Sequence, residues 1–479
     1  MERSAAIIWF RRDLRLADNP ALTQALAHHC RVIPVYIHAP EEEDPWSLGS
    51  ASRWWLHQSL TQLDRSLRER GSRLVVRCGS SLESLRALCY ETGAQAVYWN
   101  RLIEAPLQKR DANISQALQW AGVQTATFEG SLLFDPAGVR TPTGKITQRF
   151  ASFYRACLRL GLPADTQPAP EMLPPVPPEI PSVPLTELNL LPKIGWYRGL
   201  AESWRPGEAG AIQALKAFCA HNLAGYARLR DRPDLMATSR LSPYLRFGEI
   251  SPKRIVAAVL AAAQGGGEAF LRELIWREFS YYLLYHFPYL PEKPLDARFE
   301  AFPWQRNAPW LVAWQRGQTG IPLVDAGMRE LWQTGWMHNR VRMVVASFLT
   351  KNLLISWQEG ARWFWDTLVD ADLANNSQNW QWVAGCGVDA APYFRIFNPV
   401  LQGRKFDPDG NYIRRWVPEL KSLPAPWIHA PWEAGPQELK RLGVTLGRSY
   451  PQPIVDLIAS RSKALAAFAG LPSAPSPMV

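Results

Sequence analysis

No apolar run in the sequence approaches the roughly 18 residues that a membrane-spanning helix needs, so no membrane span is expected. There is no C-x-x-C pair either. The six cysteines, Cys30, Cys78, Cys89, Cys157, Cys219 and Cys386, lie far apart. That spacing suits neither a disulfide framework nor a zinc site, and points to reduced thiols in a cytoplasmic protein. The opening residues lack the apolar h-region and cleavage site of a secretory signal. The strand-like segments are followed by no G-x-G-x-x-G, so a dinucleotide fingerprint is absent. Metal ligation by Asp370 and Asp372 is not expected, since no His lies close to them in sequence.

What is present narrows the field further. A chain of 479 residues suffices for two or three domains. With 47% hydrophobic and 20% charged residues it is globular rather than disordered. The formal charge of +10 suits a polyanionic partner, because phosphate neutralisation releases counterions. Charge alone is a weak argument, since many basic proteins bind no nucleic acid. Tryptophan is unusually abundant, with 22 Trp against 14 Tyr and 18 Phe. Indoles in such number either fill a helical core or serve stacking and redox chemistry.

The first 130 or so residues alternate apolar β-type runs with helical patterns. The runs are Ala6–Phe10, Val32–His38, Leu74–Cys78, Ala96–Trp99 and Gln124–Phe128. Helices are expected near Pro20–Ala27, Ser52–Glu69, Leu82–Thr92 and Gln108–Ala121. The alternation predicts a doubly wound parallel sheet, whose ligands sit beyond the carboxyl ends of the strands. Those ends carry RRDLR (Arg11–Arg15) and WNRLIE (Trp99–Glu104). Ten prolines between Pro163 and Pro192 forbid regular structure and predict an extended linker. Beyond it helical periodicity takes over, over Glu208–Cys219, Pro252–Ala262, Glu268–His286 and Gly327–Leu354. The expected domains are an α/β domain over 1–131, a connection over 132–205 that holds the linker 163–192, an all-helical domain over 206–470, and a loose tail over 471–479.

Several segments combine groups that chemistry could use. TSRLS (Thr238–Ser242) offers hydroxyls ahead of an apolar segment, as a phosphate site or an ordinary capped loop does. Glu273, Trp276, Arg277 and Phe279 alternate charge with aromatics on a helix. An i,i+4 ion pair with core packing explains them as well as a base-stacking site. Asn339 and Met343 share one helical face. His338 is either a general base or a satisfied structural residue. Arg342 and the carboxylates of DADLANNSQNWQW (Asp370–Trp382) should pair if buried, because an isolated buried charge is costly.

Taken together, RRDLR, TSRLSPYLRFGEIS, ELIWREF, TGWMHNRVRM, VDADLANN, NWQWVAG and APYFRIFNP resemble the DNA photolyase/cryptochrome family. The likeness runs from the first strand to about YPQPIVD (Tyr450–Asp456). It implies an α/β antenna domain, a long connection and a helical FAD domain. It also implies light-driven repair of cyclobutane pyrimidine dimers by electron transfer from excited reduced FAD, in a monomer that binds UV-damaged DNA, with no obligate protein partner and no membrane.

The resemblance implies roles residue by residue. Tyr226, Thr238, Ser239, Arg240, Leu241 and Ser242 would hold the FAD phosphates and ribityl chain. Arg342 would pair with Asp370, Asp372 would meet the ring edge, and Asn376 would face flavin N5. Phe270, Glu273 and Arg277 would complete the FAD contacts. Trp380, Trp357 and Trp304 match a tryptophan chain that re-reduces the flavin. The lesion pocket would use Glu273, Trp276, Asn339, Met343 and Trp382, with Arg230 and Arg340 on phosphates. Enzymes that act on bases take them out of the stack, and Trp276 and Trp382 would flank the flipped dimer. Related (6-4) photolyases carry histidines at the positions of Asn339 and Met343, so this sequence fits cyclobutane dimers. Asn at 376, where cryptochromes of plant type usually carry Asp and those of animal type often Cys, favours repair over the alternative of a cryptochrome-type photoreceptor.

The sequence departs from the commonest bacterial pattern at Phe270, where Trp is usual, and at Ser377–Asn379. Its pattern is similar to class III bacterial photolyases, which leaves room for side branches in the electron route. Asn100 and Glu104 match antenna-contacting positions, and the class III likeness favours methenyltetrahydrofolate over a deazaflavin. A general FAD oxidoreductase lacks support, since the nicotinamide fingerprint is missing.

Overall fold

A computed structural model of the chain describes residues 4–262, 266–390 and 394–473. Part of the APYFRIFNP motif (391–393) and most of the expected tail (474–479) lie outside the described residues. Five strands, β1 (Ala5–Phe10), β2 (Arg31–His38), β3 (Val75–Cys78), β4 (Ala94–Asn100) and β5 (Gln124–Phe128), form one parallel sheet in the order β3-β2-β1-β4-β5. Helices α1 (Pro20–His28), α2 (Ser50–Arg68), α3 (Ser81–Thr92) and α4 (Ala105–Trp120) run between them. This is the doubly wound fold that the alternating texture predicts. All of β1 is buried, as expected when helices cover both faces of a parallel sheet. The strand order turns at β1, between β2 and β4. The loops after β1 and β4 therefore leave the sheet side by side at its switch point, where α/β folds form ligand clefts.

Local sequence explains the element ends. The Asn19 side chain accepts from the Leu22 N–H at 3.2 Å and starts α1. Gly93 adopts φ 65° and closes α3. Many indoles are core. Trp9 and Trp99 meet edge-to-face at 5.9 Å, and Trp55 packs against Trp204, Tyr244 and Phe247.

The described chain divides into two compact units. The first comprises Met1–Ala224, Ser239–Pro288 and Val369–Asp372. Besides the sheet it holds α5 (Phe150–Leu160), α6 (Glu208–His221), the short α7 (Ser242–Arg246), α8 (Pro252–Ala262) and α9 (Glu268–His286). Within it, the proline-rich stretch 163–192 forms only a 3₁₀ turn at Leu185–Leu188. It is a strap along the sheet rather than a free tether. Val183 N–H donates to the Val76 carbonyl at 3.0 Å, Arg73 donates to the Pro177 and Ile180 carbonyls, and Val176 and Ile180 join the sheet's core. Prolines cannot donate from the backbone, so arginine side chains satisfy carbonyls of the strap, while its Val183 N–H reaches β3.

The second unit comprises Gly225–Thr238, Tyr289–Leu368 and Leu373–Val479, and its described part is dominated by helices. The single helical pattern expected over 327–354 is interrupted. α10 (Pro322–Thr334) ends at Gly335, which sits at φ 66°, and α11 (Asn339–Ser347) starts after it and runs into a π turn at Phe348–Asn352. A left-handed glycine closes the first helix while the apolar spacing carries on, which is why periodicity alone misses the break. α12 (Trp357–Thr367), α13 (Leu373–Ala384) and α14 (Pro399–Phe406) follow. No described helix is long and apolar enough to cross a membrane.

Candidate functional site

In the first unit, a buried polar cluster gathers around residues 369–372. Ser242 Oγ donates to Asp370 at 2.6 Å. The Tyr281 phenol donates to Asp372, and the Arg246 guanidinium donates to the Ala371 carbonyl. Asp370 and Asp372 are both buried, and these donors offset the cost of taking carboxylates out of water. Burial, then the Asp372 charge, raises the Tyr281 phenol well above its ordinary value, so it stays a neutral donor. Arg240 takes a left-handed φ of 52° and lays its guanidinium 4.1 Å from the Trp204 ring centroid. Leu241 is buried, and Ser239 Oγ accepts from its N–H at 3.4 Å.

Along α9 the roles separate. Phe270 is buried against Phe218, with centroids 4.5 Å apart. Glu273 and Trp276 are half-buried. The indole of Trp276 lies flat on Phe150, at 3.5 Å and an interplanar angle of 7°. Arg277 pairs with the adjacent Glu278 at 2.8 Å and donates to the Ser131 carbonyl at 3.1 Å. Burial pushes the Glu278 carboxyl up to about 7, against the pull of Arg277 and of the Leu133 and Phe134 N–H groups. Sequence reasoning passed over Arg246, Glu278, Tyr281 and Phe150. Tyr281 stands eight positions after Glu273 and one before the apolar run that ends α9, so its spacing signalled core rather than site.

The second unit carries the other predicted residues. Tyr226 is buried, with the Arg230 guanidinium 5.4 Å from its ring centroid. Thr238 closes the segment Gly225–Thr238. Asn339, the first residue of α11, is exposed, and Met343 is half-buried four positions on. Arg340 forms an ion pair with Asp231 at 2.8 Å. Arg342 Nε donates to the Met337 carbonyl at 2.7 Å. Asn376 Nδ2 donates to the Ala361 carbonyl at 3.0 Å. His338 accepts the Arg340 N–H on Nδ1 at 3.2 Å and caps α11. Burial holds its pKa down, at about 4, with Asp231 opposing. A ring so weakly basic is a poor proton acceptor at neutral pH, and what the ring does here is cap α11 through Nδ1.

The tryptophans also lie here. Trp380 is buried edge-on to Phe364 at 5.0 Å and to Trp314 at 6.3 Å. Its ring fills the space over Gly360, where a Cβ would meet it at 2.1 Å. Trp357 is buried at the start of α12, and Trp304 is half-buried with Phe302 at 4.4 Å. Trp382 is half-buried beside Phe397 at 6.4 Å, with the Arg395 guanidinium at 5.9 Å. Among the described residues, no group of three or more His, Cys, Asp or Glu is placed to hold a metal ion.

A cavity of about 290 Å³ opens in the first unit beyond the ends of β1 and β2. Arg11, Arg12, Arg53, Arg110 and Arg246 line it together with Trp9, Tyr36 and Phe247. Asn100 and Glu104 do not line this cavity. Asn100 is buried and donates to Asp13 at 2.6 Å and to Asn19 at 2.8 Å. Glu104 is buried and pairs with Arg12, which also pairs with Glu43 at 3.0 Å. Burial works against the Arg12 charge, but Glu104 and Glu43 outweigh it and raise its pKa.

The chain is similar to known proteins in sequence and fold. Residues 270–470 match the FAD binding domain of DNA photolyase, and residues 6–175 match the DNA photolyase domain. The chain is 47% identical to a deoxyribodipyrimidine photo-lyase of Agrobacterium fabrum, over 98% of this chain and 99% of that one. It is 40% identical to Cryptochrome-1 of Arabidopsis thaliana, over 96% of this chain and 69% of that one. A crystal structure of a bacterial class III photolyase from Agrobacterium tumefaciens superposes with a TM-score of 0.94 at 47% identity, covering 98% of each chain. With this fold and these motifs, the chain belongs to the DNA photolyase/cryptochrome family.

Proposed function

We propose that this protein is a light-driven lyase that splits cyclobutane pyrimidine dimers in DNA. The observation that carries this reading is the 47% identity, over nearly the full length of both chains, with a deoxyribodipyrimidine photo-lyase. Similarity to Cryptochrome-1 of Arabidopsis thaliana is also extensive, but at 40% it is lower.

The donor set fits FAD. Hydroxyls at Thr238, Ser239 and Ser242 suit phosphates and a ribityl chain, with Arg240 and Leu241 adjacent in sequence and Tyr226 as a further candidate contact. Asp372, held by Tyr281, suits a ring N–H. Asn376 commits its N–H₂ group to Ala361, which leaves its carbonyl oxygen as an acceptor. Phe270, Glu273, Arg277, Arg342 and Asp370 complete the candidate contacts. Bound FAD supplies light-driven electron donation to the dimer. This chain's residues do the rest. Trp276 and Trp382 stack on the flipped dimer. Glu273 and Asn339 hydrogen-bond it, and Met343 packs against it. Arg230 and Arg340 meet phosphates, which position the strand without reading sequence. Dimer splitting needs an electron lent and returned, so the absence of an acid–base pair at Asn339 and Met343 agrees with it.

The test is a defined thymine-dimer oligonucleotide incubated with the purified, chemically reduced protein under blue light. Dimers are expected to disappear with return of intact thymines, and to persist in the dark. Persistence in the light would favour the photoreceptor reading. Trp380, Trp357 and Trp304 supply electrons in the proposed re-reduction. Trp380→Phe is accordingly expected to slow flavin photoreduction at least about tenfold, equivalent to about 1.4 kcal/mol of barrier, and to spare repair by chemically reduced protein. An unchanged photoreduction rate would place the route elsewhere.

The arginine-lined cavity suits an anionic aromatic chromophore, and the carboxylates of a folate meet that requirement. Glu104 would act from behind by holding Arg12, and Asn100 by fixing the turn at Asp13. Methenyltetrahydrofolate in that cavity predicts an absorption band at shorter wavelength than the flavin's. A spectrum with flavin bands alone would remove the assignment.

A further inference from the structure

We infer that Phe150, on α5, is a positioning residue for lesion recognition, acting through Trp276. The inference rests on the proposed role of Trp276 as a stacking surface for the flipped dimer. The two rings lie face to face at 3.5 Å with an interplanar angle of 7°. An indole has two faces, and Phe150 occupies one. A flipped base can therefore stack only on the other, as the next layer of an existing pile.

Other side chains hold the pile in place. Arg272 lays its guanidinium 5.1 Å from the Phe150 centroid and 5.0 Å from that of Tyr154. Phe150 is itself buried, and Phe279 closes edge-on over both Phe150, at 5.7 Å, and Trp276, at 5.8 Å. One residue pair farther along, Phe153 packs on Phe279 at 5.1 Å and on Tyr282 at 4.9 Å. Tyr282 in turn accepts the Thr147 N–H at 3.0 Å. The seam between α5 and α9 thus locks the plane of Trp276 before any ligand arrives. A ring held in its binding rotamer has less freedom to lose when a base stacks on it, so affinity rises without a new contact to the ligand. The segment between the antenna and helical domains, read from sequence as a connection, would then contribute to specificity.

The experiment compares Phe150→Leu, Phe150→Tyr and Trp276→Ala with the parent, all as FAD-loaded protein. The readouts are FAD content, affinity for undamaged duplex, and affinity for the same duplex carrying one thymine dimer. Phe150→Leu is expected to lower the preference for damaged over undamaged DNA about three- to tenfold, the range that one aromatic pair is worth. FAD content and undamaged-duplex affinity should not move, and Phe150→Tyr should restore the preference. A purely structural role would lower all three readouts together and would overturn the inference. If Phe150→Leu loses FAD, Phe150→Met fills nearly the same volume and takes its place in the comparison. Full preference in Phe150→Leu or Phe150→Met, with the preference lost in Trp276→Ala, would overturn the inference and leave Trp276 as the lesion contact. Full preference in Trp276→Ala would overturn both.

Discussion

Asp372→Ala is expected to release FAD from the protein. A hydrogen bond to a charged group contributes about 1.5–3 kcal/mol, so binding should weaken roughly 10- to 150-fold. Light-driven repair should fall in proportion to the FAD retained after gel filtration. The reason lies in how the carboxylate is held. Asp372 is buried, and Tyr281 donates to it from α9. A carboxylate offers about four lone-pair sites, so the Tyr281 donor does not by itself exhaust what Asp372 can offer a ring N–H. Tyr281→Phe is the control. It removes the phenol but keeps the carboxylate, so the loss of FAD should be several-fold smaller. Were Asp372→Ala to lose thermal stability yet keep its FAD, the carboxylate would be Tyr281's structural partner and nothing more.

The second large effect concerns Arg12. Its side chain is 14% exposed and serves two carboxylates, Glu104 at 6% and Glu43 at 25% exposure. Removing one partner of a buried pair costs about 3–5 kcal/mol, because the other charge is left without compensation. Arg12→Met should therefore destabilise the sheet-bearing unit by about that much. Global unfolding of a chain with two units is a poor gauge, as two-state behaviour is not assured. Hydrogen exchange at the β1 and β4 amides reads the local opening directly. Protection there is expected to fall about a hundredfold or more. Adding Glu104→Gln should recover much of the loss, because the buried carboxylate becomes neutral. Unchanged protection in Arg12→Met would mean that both carboxylates are solvated. The same variant should weaken any chromophore in the cavity, since Arg12 lines it.

Both predictions depend on contacts between residues far apart in the chain. Ser242 and Asp370 are separated by 128 positions, Tyr281 and Asp372 by 91, Arg12 and Glu104 by 92. Single-residue chemistry suggested that buried Arg and Asp should find partners near the flavin motifs. It could not say that a tyrosine and a serine would take part, because hydroxyls are common and carry no spacing signal. The match of ordered motifs located the candidate site, and the physical reading of those motifs alone left each role open.

The sequence by itself determined the elements and the class of fold. The five apolar runs became five strands, with ends displaced by at most two residues, because alternation of short β-type runs with amphipathic helices is a local property. It also determined that the proline-rich stretch has almost no regular structure. Tertiary structure decided the rest. It made that stretch a strap on the sheet instead of a tether, ended α10 at Gly335 where periodicity ran on, and made His338 a buried helix cap. It set Phe150 flat against Trp276. It also put Asn100 and Glu104 behind a cavity lined by arginines, and not in its wall. The physical reason is common to all of these. Helix and strand are chosen by neighbours a few residues apart, whereas burial, pairing and stacking are chosen by whichever distant surfaces the packed chain brings into contact.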